Sequence, residues 1–141
     1  METYAKYEVH EESSHEGDLV KENVLSNNNS EWKSKHIGFP AWISFKILDE
    51  QKLKTMKLRT QNGCNTAPKD MVVYTSEDSK SWVELIRVSR PQHPGSDWTD
   101  IELNVSAKFV KLEVLNNQNL TDIKDWSTYT YVYEVKFLLA N

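Results

Sequence analysis

The chain has 141 residues, of which 38% are hydrophobic, 27% are charged and 11% are aromatic, and its formal net charge is −4. This length suits one hydrophobic core, so we expect a single domain over residues 1–141. The composition excludes a disordered chain, no apolar run approaches the roughly 18–20 residues of a membrane span, and the acidic balance argues against nucleic acid as a partner.

The predicted elements are strands, because the dominant hydrophobic period along the chain is two. The clearest case runs from Tyr129 to Leu139, where six alternate apolar positions predict one strand buried on one face. "GDLVKENVL" can form one or two helical turns. In chain order the other predicted strands are "YAKYEV", Ile43–Ile47, Met56–Leu58, "DMVVYT", "WVELIRV", Ile101–Val105 and Val110–Val114.

Turn-forming Asn, Asp, Gly, Pro and Ser residues separate these strands, as in "QNGCNTAPK" and "RPQHPGSD". About eight strands without intervening helices predict an all-β fold, namely an antiparallel β-sandwich or jelly roll.

The segments "YTSEDSKSWVEL" and "AKFVKLEV", in that order after "EWKSKHIGFPAWISFKI", resemble the discoidin, or coagulation factor V/VIII type C, family. Its members are galactose-binding-like jelly rolls. Within the family, the stretch from "SSHEGDLVKENVL" to "EWKSKHIGFPAWI" is most similar to intracellular domains of centrosomal, ciliary-tip and intraflagellar transport proteins. This resemblance implies a protein-binding module.

The resemblance also implies that recognition uses loops at one end of the sandwich. Such loops carry function because the sheets hold them while their side chains vary. Trp126 lies in a polar connection, where an exposed indole can stack on a sugar or a partner's side chain, whereas Trp32, Trp42 and Trp82 match structural positions of the family in the core or at its edge. The candidate ligand-binding residues are Asn27, Asn29, His36, Arg59, Asn62, Asn65 and Trp126.

Calcium is the one cofactor that the resemblance suggests, since many relatives hold an ion near these loops. Hard cations need several oxygen ligands. Glu134 matches the family's glutamate, Ser26 stands where an Asp is expected, and Asn27, Asn29 or Glu31 are the candidates to compensate for the missing charge.

The single cysteine, Cys64, cannot form an internal disulfide, which favours a reducing compartment despite three N-glycosylation triplets. The acidic Met1–Glu12 start lacks signal-peptide features. We therefore expect a cytoplasmic protein, with the cilium or centrosome implied by the resemblance.

The histidines lack metal-ligand spacing and no nucleophile motif stands out, so the sequence predicts a non-enzymatic module. The leading interpretation is protein–protein interaction in an intracellular assembly. The first alternative is carbohydrate binding as a galactose-type lectin. Peripheral phospholipid binding is less favoured because the predicted loop tips carry few apolar or basic residues. The sequence leaves the oligomeric state open.

Overall fold

A computed structural model describes residues 2–25, 30–119 and 128–140. Within these residues no helix is long and apolar enough to cross a membrane. The elements are β1 (Tyr7–Glu12), a 3-10 helix (Lys21–Leu25), β2 (Trp32–Lys33), β3 (Ala41–Ile47), β4 (Leu53–Arg59), β5 (Asp70–Ser76), β6 (Val83–Ser89), β7 (Trp98–Val105), β8 (Phe109–Val114), β9 (Tyr131–Val132) and β10 (Glu134–Leu139).

The strands form antiparallel sheets, which confirms the predicted all-β sandwich. One sheet has five strands in the order β1-β3-β8-β5-β6, a second has three in the order β10-β4-β7, and β2 pairs with β9. The apolar positions of the alternating strands meet between the two larger sheets, where Phe45 and Val110 of one sheet share a core with Met56 and Phe137 of the other. Burial of these faces is the main stabilising contribution.

The last predicted strand is broken, so the expectation of one continuous strand from Tyr129 was wrong. The Tyr133 backbone N–H donates to the Arg59 carbonyl at 2.9 Å, and the chain passes there from pairing with β2 to pairing with β4. Glu134, which alternation places on the solvent side, is only 5% exposed, and its pair with the Arg59 guanidinium offsets the cost of burying its charge.

The tryptophans divide between the core and the surface. Trp32 is 0% exposed, as expected of a structural residue. Trp42 and Trp82 are half-buried and lie outside the core cluster, with the Lys111 ammonium 5.5 Å and 4.7 Å from their ring centroids. Because these rings pack around a lysine on the outer face of the five-stranded sheet, they are not core residues.

Candidate functional site at the loop end of the sandwich

A central segment, Lys33–Gly38, organises one end of the sandwich. On one side it is hydrogen-bonded to the loop after β1: the Lys33 N–H donates to the Leu19 carbonyl at 3.1 Å, and the Lys35 N–H donates to the Ser14 hydroxyl at 3.1 Å. Backbone groups paired in this way hold a loop in place without a longer helix or strand.

The other side of the central segment is bonded to the chain that leads into the last strands. The Ser34 N–H donates to the Thr130 carbonyl at 3.0 Å, and the Gly38 N–H donates to the Thr128 carbonyl at 2.9 Å. Gly38 has a φ of 96°, a conformation that favours glycine. The central segment therefore separates the two neighbouring stretches of chain.

A concavity of about 380 Å³, which we call the loop-end pocket, lies on the Thr128–Thr130 side of the central segment. Its shape depends on two side-chain bonds: Asn117 donates to the Tyr129 carbonyl at 2.8 Å, and the buried Thr130 hydroxyl donates to the Thr66 carbonyl at 3.0 Å. These bonds hold the backbone of Tyr129 and Thr130 against the loop that contains Thr66. The pocket is lined by Gly63, Cys64, Asn65, Thr66 and Tyr129.

An aromatic pair lies at the edge of this site, with Tyr129 in the pocket wall and His36 beside it. The exposed His36 ring stacks on Tyr129 with 4.1 Å between centroids and 6° between planes. The Lys33 ammonium lies 4.4 Å from the centroid of the same Tyr129 ring. The His36 ring and the Lys33 ammonium thus both lie against the Tyr129 ring, which leaves the exposed His36 ring and the part of Tyr129 that lines the pocket accessible.

The facing loop contributes an amide. Asn65 accepts a hydrogen bond through Oδ1 from Gln92 Nε2 at 2.8 Å, which leaves its Nδ2 without a partner among the described residues. Gly63 adopts a φ of 82°, and a Cβ built there would lie 3.0 Å from the His93 ring. Any other residue at this turn is therefore strained, and the pocket rim depends on glycine.

Cys64 is a free, half-buried thiol in the pocket wall. Burial raises the pKa of Cys64, but hydrogen bonds from the Thr66 and Tyr131 side chains and from the backbone of Thr66 and Ala67 outweigh burial, so that the pKa falls below its ordinary value. Burial of the Tyr131 side chain likewise raises the pKa of its hydroxyl.

The structure brings some of the sequence-predicted ligand residues to the pocket and leaves others away from it. Asn65 lines the pocket, and His36 lies beside it, stacked on the pocket residue Tyr129. Asn62 is exposed next to it and bonds Asp97 through its backbone N–H at 3.0 Å. The Arg59 guanidinium is ion-paired and lies 5.1 Å from the Tyr133 ring centroid, outside the pocket lining. Asn27, Asn29 and Trp126 lie outside the described residues.

The candidate calcium ligands do not form a cation cage within the described residues. Glu134 already faces Arg59 at 3.3 Å and Lys136 at 3.6 Å, so its charge is neutralised by side chains. Burial raises the pKa of Glu31, and the positive charge of nearby Lys33 partly offsets this rise. No group of three acidic, His or Cys side chains suits a metal in the described part of the chain. Ser26 and Asn29 lie outside it, and calcium binding stays a prediction.

Sequence reasoning missed two residues that shape the site. Tyr129 was assigned to a core strand, and only its polar neighbours on the N-terminal side signalled a loop. Arg90, in a turn-rich segment, is 2% exposed and donates to the Thr99 hydroxyl at 3.1 Å and the Gln61 carbonyl at 3.3 Å. It thereby fastens the start of the loop that carries Asn65.

A two-sheet jelly roll with a small polar and aromatic pocket at one end defines the class as a galactose-binding-like β-sandwich. A family model for the F5/8 type C domain matches residues 8–130, and the chain belongs to this family. No curated protein matches the sequence.

Solved structures with a similar fold include carbohydrate-binding modules from Clostridium perfringens. The CBM32-3 module of a family 31 glycoside hydrolase from Clostridium perfringens superposes with a TM-score of 0.81 at 20% identity, covering 96% of this chain and 92% of that one. CpGH89CBM32-5 from the same organism, in complex with GalNAc-β-1,3-galactose, gives a TM-score of 0.76 at 14% identity, covering 95% of each chain.

The family 32 module of Clostridium perfringens NanJ, in complex with galactose, gives a TM-score of 0.76 at 11% identity and covers 98% of this chain and 99% of that one. At these identities the likeness is one of fold. The expected likeness to intracellular centrosomal and ciliary domains is not supported by these comparisons.

Proposed function

We propose that this domain is a non-catalytic carbohydrate-binding module that holds a galactose-type sugar in the loop-end pocket. The observation that carries the proposal is the stacked pair of His36 and Tyr129 beside the unpaired amide nitrogen of Asn65. The outer face of the exposed His36 ring and the accessible edge of Tyr129 offer an apolar surface to a sugar, and the Asn65 amide and His36 imidazole nitrogens bond its hydroxyls.

Pocket rigidity favours binding of a small ligand. The Tyr129 backbone is fixed by Asn117, and the facing loop is fixed by Thr130 and by the buried Arg90. A site that is already ordered loses little conformational entropy when the ligand arrives.

The comparisons support a glycan over a protein partner. The modules from Clostridium perfringens share this fold, and two of them were solved in complex with galactose or GalNAc-β-1,3-galactose. Carbohydrate binding, which was the alternative interpretation of the sequence, thus has better support than protein–protein interaction. No specific feature of the described residues argues for a protein partner.

The test is calorimetric titration of the purified domain with galactose and with N-acetylgalactosamine. We expect Tyr129→Ala to weaken galactose binding by at least roughly tenfold, which corresponds to about 1.4 kcal/mol. Tyr74→Ala is the matched control, since Tyr74 is also a half-buried tyrosine but packs against Lys111 on the outer sheet face, with 4.9 Å between Nζ and the ring centroid. Absence of binding of either sugar to the wild type, or equal losses in both variants, would overturn the proposal.

A further inference from the structure

We infer that the sugar site continues across the central segment into a second pocket, so that the ligand is an oligosaccharide of two or more sugars. This inference rests on the proposed function. The second pocket, which we call the flanking pocket, has a volume of about 400 Å³, close to that of the loop-end pocket. It is lined by Glu12, Ser13, Ser14, His15, Lys35 and Ile37.

The hydrogen bonds of the central segment place the two pockets side by side. The segment is bonded to Ser14 on one side and to Thr130 on the other, and the flanking pocket contains Ser14 while Tyr129 lines the loop-end pocket. Neighbouring hydrogen-bonded backbones lie about 4.8 Å apart, so the outer two stretches are separated by roughly 10 Å. A single sugar against Tyr129 does not span this distance, whereas a chain of sugars does.

The central segment contacts both pockets from one side. The Lys33 ammonium lies over the Tyr129 ring of the loop-end pocket at 4.4 Å, and Lys35, two residues further on, lines the flanking pocket. Residues two apart on an extended backbone lie on the same face. One short segment therefore presents contacts to two adjacent sugars.

Ile37 is 77% exposed, which gives the flanking pocket an apolar surface open to solvent. Large aliphatic side chains are usually buried, although single exposed ones are common. Here the exposed side chain lines a concavity beside charged groups, an arrangement that suits the mixed apolar and hydroxyl surface of a sugar ring.

The charged groups of the flanking pocket supply hydrogen-bonding capacity. Glu12 Oε1 contacts His15 Nδ1, while the buried Glu12 Oε2 has no hydrogen-bond partner among the described residues. A buried acceptor without a donor is costly, and rotation of the Glu12 side chain toward the pocket would let a ligand hydroxyl meet that need. Lys35 is exposed and forms no ion pair with a described residue, so its ammonium is a donor for a second hydroxyl.

The walls of the flanking pocket are fixed by the fold. The Ser13 N–H donates to the Trp42 carbonyl at 2.9 Å, the Trp42 N–H donates to the Ser13 hydroxyl at 3.0 Å, and the buried Trp32 donates through Nε1 to the Ser14 carbonyl at 2.9 Å. Because these bonds anchor the turn to two strands, the pocket is formed before a ligand binds, which reduces the ordering cost of an extended contact.

The test compares galactose with a panel of galactose-containing di-, tri- and tetrasaccharides by calorimetry on the intact domain. In the wild type we expect at least one oligosaccharide to bind roughly tenfold more tightly than galactose. Ile37→Ser should bring that oligosaccharide to the affinity of galactose while galactose binding is unchanged. Leu48→Ser is the matched control, because Leu48 is 49% exposed and lines a different pocket, beside Lys46 and Lys108.

The outcomes separate the two proposals. If galactose binds but no oligosaccharide binds more tightly, or if Ile37→Ser weakens galactose and oligosaccharide alike, the extended site is refuted and the loop-end pocket stands. If Glu12→Gln and Ile37→Ser both retain wild-type affinity for the oligosaccharide, the extension is also refuted. If neither ligand binds the wild type, the proposed function itself fails and the extended site with it.

Discussion

Replacing Trp32 with alanine tests how the core holds the candidate site. The indole is 0% exposed, and its Nε1 donates to the Ser14 carbonyl at 2.9 Å. Truncating a fully buried large aromatic side chain costs about 3–5 kcal/mol, which includes the cavity that remains. With about 2–4 °C per kcal/mol for a domain of this size, we expect the melting temperature to fall by roughly 6–20 °C.

The matched control is Trp82→Ala. Trp82 is half-buried and contacts the Lys111 ammonium at 4.7 Å from its ring centroid. Losing a cation–π contact and part of the apolar burial should cost about 1–2 kcal/mol. Urea unfolding followed by far-ultraviolet circular dichroism measures both changes without depending on tryptophan fluorescence. Equal destabilisation by the two variants would refute the assignment of Trp32 to the core and of Trp82 to the outer face.

Two further predictions concern ions and protons. Since Arg59 and Lys136 already neutralise Glu134, any rise of the melting temperature with added calcium should be the same in wild type and in Glu134→Gln, and a rise that Glu134→Gln abolishes would show that Glu134 is a calcium ligand. Hydrogen bonds from Asn116 and then Ser89 hold the pKa of Asp70 below its ordinary value. A lowered carboxyl pKa contributes stability above the unfolded value and loses it as the pH falls, so wild type should lose more stability than Asp70→Asn between about pH 5 and about pH 2.

The strands were predictable from the sequence where apolar and polar residues alternate along the chain. Phe45 and Ile43 in β3, like Leu112 and Val110 in β8, are fully buried at alternate positions, and the intervening Lys46 and Lys111 lie on the other side. Period-two burial is a local property of the chain, so it is visible without knowing which strand lies next to which.

The end of the last strand was not predictable from the same pattern. Tyr129 and Tyr131 continue the alternation of Val135, yet Tyr131 pairs with β2 and Val135 pairs with β4. Alternation reports which way a side chain points and not which neighbour a strand has, so the change of partner at Tyr133 left no signal. This is why Tyr129 was assigned to the core although it lines the loop-end pocket.

Only part of the candidate site was predictable from the sequence, for a related reason. His36 and Asn65 were named because the family resemblance places loops at one end of the sandwich. The buried Arg90 was not named, because a charged residue next to a proline usually indicates a solvated turn. Its hydrogen-bond acceptors on Thr99 and Gln61 lie on other segments of the chain, so they are not visible in the local sequence. Burial of a charge depends on such tertiary partners.

The most direct test of the proposed function is a galactose titration followed by the backbone amide resonances of the labelled domain. Binding at the loop-end pocket should shift the amides of Gly63–Thr66 and Tyr129, and leave those of Leu48 and Ala107 unchanged because they line another pocket. Absence of any shift at millimolar galactose, or shifts centred on Leu48 and Ala107, would contradict the assignment of sugar binding to the loop-end pocket.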